Sequence, residues 1–78
     1  MQVVLSSANQ IGPYLRQVRR AAKLRQEDVA LTAGCSVKFL VDLEAGKGTA
    51  PLAKVFAVAQ ALGGRFILEF PGERDDRA

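Results

Sequence analysis

The chain contains no histidine, no tryptophan and a single cysteine, Cys35. Without histidine there can be no Ser–His–Asp triad, no Cys–His nucleophile pair and no Cys/His zinc site. One thiol cannot form a disulfide within the chain and points to a reducing compartment. With no imidazole to activate it, Cys35 reads as a small turn residue. The eight acidic residues are scattered, with their densest run in the last six positions, so no carboxylate cluster offers itself to a metal. No stretch approaches the ~18 apolar residues that span a bilayer. The opening Met1-Gln2-Val3-Val4-Leu5-Ser6-Ser7 lacks the charged start of a secretory signal, so the expected location is cytoplasmic. At 78 residues the chain is one small domain without room for a deep catalytic cleft. No nucleophile–base pair or phosphate-cradling loop is present, and no cofactor is implied. The reading is of a protein that works by contact, not an enzyme.

What is present is positive charge and apolar surface. The net charge is +3, and residues 1–64 hold eight basic against four acidic side chains. A basic surface invites polyanions. The apolar fraction, 49%, is high for so short a chain, and a partner chain is one place for the excess.

Helical periodicity and punctuation divide the chain. Residues 2–5 are β-prone and short, Ser6 or Ser7 can cap, and 8–11 reads as a loose turn. The Gly12-Pro13 pair then places a helix from Pro13 to about Leu24, with Leu15, Val18 and Ala22 inward. Residues 26–33 form a short helix whose Glu27 and Asp28 suit its positive N-terminal end. Gly34 stops it. Ser36 caps a third helix over 37–44, which Gly46 ends, and Gly48 leaves the next loop mobile. A fourth helix runs over 51–62, with Thr49 as cap and Leu52, Val55, Phe56, Ala59 and Leu62 as its apolar stripe. Ala57, Val58 and Ala61 make its other face apolar too. Gly63-Gly64 ends it, and 65–70 (Arg-Phe-Ile-Leu-Glu-Phe) reads as a strand closed by Pro71-Gly72. Residues 73–78 are a charged tail expected to be disordered, leaving 1–72 as the domain.

The segment Gln26–Glu44 is the informative one. Two short helices joined by a turn containing glycine make a helix-turn-helix unit, whose second helix enters the DNA major groove. Residues 15–62 resemble the XRE-type, lambda-repressor-like family. The resemblance rests on Leu15, Val18 and Arg19, on Gln26-Glu27-Asp28-Val29-Ala30, on Ala33-Gly34-Cys35-Ser36, and on Leu43-Glu44-Ala45-Gly46-Lys47. A narrower likeness, over Phe39–Gly48, Ala61-Leu62-Gly63 and the terminal strand, is to HipB-like antitoxins. Together these imply an all-α domain of four to five helices with a short C-terminal strand. In HipB-like proteins that strand pairs with its dimer mate, and the antitoxin binds a HipA-like kinase toxin and represses their shared operon.

The resemblance implies a DNA contact for Gln26. Arg25 stands where the family usually has a Ser or Thr cap, and could contact a phosphate instead. Ser36, Val37 and Lys38 lie at the end of the recognition helix that meets base edges. Lys38 could bond guanine or phosphate, and Val37 could touch a thymine methyl. Phe39 is either core filler or a wedge against DNA, and Val41 is likewise apolar where many relatives are polar. Lys47 falls in a loop suited to phosphate. Arg16, Arg20 and Lys23 read as a solvated face. The family pairs the Arg at position 19 with the Glu at position 44, so Arg19 and Glu44 are expected to form a structural ion pair.

A palindromic DNA site requires two copies. The 65–70 strand, through Phe66, Ile67, Leu68 and Phe70, offers a dimer contact, alone or with 2–5 in one intermolecular sheet; an intrachain pairing of 2–5 with 65–70 is the alternative. Functionally, the leading expectation is an autoregulating antitoxin. A stand-alone regulator and an interaction module that does not bind DNA remain open beside it.

Overall fold

A computed structural model of the chain describes residues 1–47 and 49–72. The tail 73–78 and Gly48, to which the sequence assigned disorder and mobility, lie outside them. A short 3-10 turn, Ala8–Gln10, leads into four helices: α1 (Ile11–Ala21), α2 (Gln26–Ala33), α3 (Val37–Glu44) and α4 (Leu52–Ala61). α1 packs on α3, α2 packs on both α3 and α4, and the core lies between them.

The starts of the helices follow from their caps. Ser7 precedes the 3-10 turn, and the Gln10 side chain accepts the backbone N–H of Ser6 at 2.8 Å. α1 begins at Ile11, two residues before the expected Pro13. Proline is tolerated there because the first four N–H groups of a helix have no intrahelical acceptor anyway. α3 is capped by Ser36, whose Oγ accepts the N–H of Phe39 at 3.0 Å. Ser36→Ala is expected to cost about 1 kcal/mol, read as a lower urea midpoint in circular dichroism. Pro51, not Thr49, precedes α4. Its fixed φ already suits the helix entrance.

The ends share one device. Each helix is followed by a residue with positive φ: Lys23 (60°), Gly34 (73°), Gly46 (74°) and Gly63 (81°). At each, two N–H groups fold back on carbonyls of the last turn, in the Schellman pattern. Leu24 N–H reaches Arg19 O and Lys23 N–H reaches Arg20 O. Cys35 reaches Ala30, Lys47 reaches Asp42, and Gly64 reaches Ala59 in the same way. Three ends therefore use glycine and α1 uses a lysine, which carries the steric cost of a left-handed side chain. Lys23→Gly is expected to raise stability by about 1 kcal/mol, with Lys23→Ala, which also removes the charge, falling below wild type in the same urea titration. The expected end of α1 at Leu24 is corrected to Ala21 because this turn closes first.

The core is Leu15 from α1, Val29 and Ala30 from α2, Leu40 and Leu43 from α3, and Val55, Val58 and Ala59 from α4. The expected stripe on α4 is partly wrong: Leu52 and Phe56 are exposed, while Val58 is 1% exposed. On α1, Ala22 is exposed, Val18 is half-buried, and the charged Arg19 lies inside.

Among the described residues no strand is present. The expected strand 65–70 and its pairing with 2–5 therefore do not form within the single chain. A ladder needs a second backbone, and this chain supplies none. Phe66 instead stacks on Phe56 of α4, with centroids 4.7 Å apart. Ile67, Leu68 and Phe70 are left exposed.

Candidate nucleic-acid interface

The geometry starts from a glycine. Gly12 lies in the first turn of α1, where an added Cβ would fall 1.6 Å from the carbonyl oxygen of Leu43. Only a hydrogen at this position lets α1 reach the backbone of α3. That approach sets Arg19, two turns further along α1, against the end of α3.

There the two helices are joined by charge. Arg19 Nε donates to Glu44 Oε2 at 2.6 Å, and Nη2 donates to Oε1 at 2.9 Å. Arg19 Nη1 donates to the carbonyl of Leu24 at 2.8 Å, fastening the α1–α2 turn. Gln26, the first residue of α2, donates through Nε2 to Glu44 Oε1 at 3.0 Å. One buried carboxylate thus ties together α1, α2 and α3. Burial pushes the Glu44 carboxyl up, but the hydrogen bonds from Arg19 and Gln26, with the charges of Arg19 and Arg16, outweigh it and hold it below its usual value. No buried side-chain nitrogen or oxygen among the described residues lacks a partner.

α2 and α3 meet through the Gly34 turn. Cys35 is half-buried there, and burial pushes its thiol above the usual value against the opposing pull of Lys54. At the start of α2, Arg25 is held locally: Nε and Nη2 donate to Asp28 at 3.1 and 3.2 Å, and Nη1 lies 3.1 Å from Glu27. The Asp28 carboxylate also accepts the Arg25 backbone N–H, 3.4 Å away. The missing Ser or Thr cap is thereby half replaced, since a guanidinium has no acceptor of its own.

α3 presents two rows outward. Val37 and Val41, both more than two-fifths exposed, stand in line with exposed Ala45. Beside them Lys38 Nζ bonds Asp42 at 3.2 Å, one helical turn apart. Lys47 follows the helix, its side chain exposed and its backbone pinned to Asp42 O. Phe39 is turned to the core and carries Lys54 of α4 over its ring, 5.3 Å from the centroid.

Sequence reasoning had not singled out Asp42 or the tie from Gln26 to Glu44. The Lys–x–x–x–Asp spacing was a usable signal for the first. The second joins residues far apart in the chain and has no local pattern. Among the described residues no group of three or more His, Cys, Asp or Glu could hold a metal, and no described helix is long and apolar enough to cross a membrane.

Residues 10–64 match the family described as Helix-turn-helix domain. The chain belongs to that family. It is also similar to the protein named "Uncharacterized HTH-type transcriptional regulator y4mF" of Sinorhizobium fredii, with 48% identity over 64 residues, 82% of this chain and 84% of the other. The match takes in all four helices.

Proposed function

We propose that the protein is a sequence-specific DNA-binding transcriptional regulator that works as a dimer on a palindromic operator. The observation that carries this reading is the α2–turn–α3 unit, locked to α1 by the Arg19–Glu44–Gln26 network, with the outer face of α3 open. An α-helix with its side chains is about 10–12 Å across, a thickness that a groove ~12 Å wide admits. Ser36, Val37 and Lys38 then meet base edges. Lys47 sits beyond the helix for phosphate, and the second Nε2 hydrogen of Gln26, beyond the one given to Glu44, is a donor for the DNA backbone. Arg25 would exchange its exposed carboxylate partners for a phosphate, and Phe39 acts by packing behind the helix. The relative's name as a transcriptional regulator supports the same function.

For dimerisation, the exposed side chains of Ile67, Leu68 and Phe70 beside the Phe56–Phe66 stack support pairing of residues 65–70 with a second copy. This is the feature that favours the HipB-like antitoxin, partnered by a HipA-like kinase toxin, over a stand-alone regulator. A cytoplasmic setting fits either.

Gel shift on the DNA upstream of the gene, over a salt series, tests the central reading. A specific complex whose affinity falls steeply with salt is expected. No specific shift at low salt would leave only the interaction module. Sedimentation of a chain ending at residue 64 tests the dimer, with a monomer expected. A kinase encoded next to the gene that co-purifies with the protein would support the antitoxin; a neighbour that does not bind would favour the stand-alone regulator.

A further inference from the structure

The outward face of α3 is poor in hydrogen-bonding groups for a helix that reads bases. Val37 and Val41 are 44% and 42% exposed, and they form one row with Ala45. The adjacent row, Lys38 and Asp42, is closed on itself by an ion pair. Two half-exposed valines and an alanine are too little surface for a stable protein interface, which buries ~800 Å² on each partner. The row is bounded at the front by Ser36 and Lys38 and at the back by Lys47, which suits an apolar strip between two phosphate backbones. In the major groove, the apolar group a base pair presents is the C5-methyl of thymine.

We infer that Val37 and Val41 read thymine methyl groups, so that each half-site carries thymines opposite the middle of α3. This rests on the DNA-binding reading and specifies the chemistry of its site. Valine at these positions gains only from a methyl, because it has no donor or acceptor for adenine, guanine or cytosine. Sequence preference along the Val37–Val41 row then comes from buried methyl area, while Lys47, on phosphate, supplies affinity that is indifferent to sequence.

The test uses the full chain and duplexes selected by it from a random-sequence library. Each thymine of the selected site is replaced in turn by deoxyuridine, which removes the methyl and leaves the Watson–Crick edge unchanged. Affinity is expected to fall about fourfold for each methyl that touches a valine. In the Val37→Ala, Val41→Ala double variant the same replacement is expected to change affinity by less than about twofold. Folding is not at issue in that variant, because both side chains are half exposed and alanine is the better helix former. A selected site whose affinity is unchanged at every deoxyuridine overturns the inference while leaving DNA binding intact. A selection that enriches no sequence overturns both.

Discussion

Arg19→Ala is expected to cost about 3–5 kcal/mol, a large part of the stability of a domain this size. The loss is larger than that of one surface ion pair because of what remains. Glu44 is 4% exposed, and among the described residues Gln26 is the one side-chain donor left to it without the guanidinium. The carbonyl of Leu24 also loses the donor that fastens the α1–α2 turn. Glu44→Ala should be about as damaging, for the mirror-image reason. The paired replacement Arg19→Met, Glu44→Leu is expected to fold, since it leaves no buried charge. The chain has no tryptophan, so the readout is helical circular dichroism against urea.

The same network sets an acid limit. Because Glu44 is held below its ordinary value near 4.5, protons bind the unfolded chain more tightly than the folded one. Its contribution is complete above that pH and drains away as pH falls through the lower, folded value. Wild-type stability should therefore decline below about pH 4.5, and the Met/Leu pair should lose less over the same range. Equal acid sensitivity in both proteins would assign the decline to other carboxylates.

Gly12→Ala is expected to cost about 3 kcal/mol or more. In an ordinary helix this change gains up to ~1 kcal/mol, because alanine is the better helix former. Here the new carbon would fall 1.6 Å from the Leu43 carbonyl oxygen and 2.5 Å from its carbon. Both atoms are backbone in the last turn of α3, so no rotamer can move them aside, and α1 and α3 must separate. Gly34→Ala is the control. It meets nothing within 4 Å and bears only the cost of φ 73°, about 1–2 kcal/mol. A Gly12→Ala protein as stable as wild type would mean that α1 does not approach α3 this closely.

These two sites differ in how far the sequence revealed them. α2 and α3 are legible to the residue because their limits are chemical: acids in the first turn of α2, Ser36 as a cap, Gly34 and Gly46 at the stops. The ends of α1 are not, because its proline sits where no N–H is required and its stop is a lysine, not a glycine. The inward face of α4 is illegible for another reason. Eight of its ten residues, all but Lys54 and Gln60, are apolar, so periodicity selects no side. The 65–70 segment has strand-like composition, but a strand is a property of two backbones. The Arg19–Glu44 pair came from family resemblance; no spacing rule joins residues in different helices. Gln26's tie to the same carboxylate became visible only once α1, α2 and α3 were placed together.

The surface through which the protein works can be mapped directly. Isotope-labelled protein titrated with a duplex from upstream of its own gene, followed by amide NMR shifts, is expected to show its largest changes at Gln26, at Ser36–Val41 and at Lys47. The Gly63–Phe70 segment should respond only through dimerisation. Large shifts confined to α4 and the C-terminal segment, with α3 silent, would contradict the assignment of α3 as the helix that enters the groove.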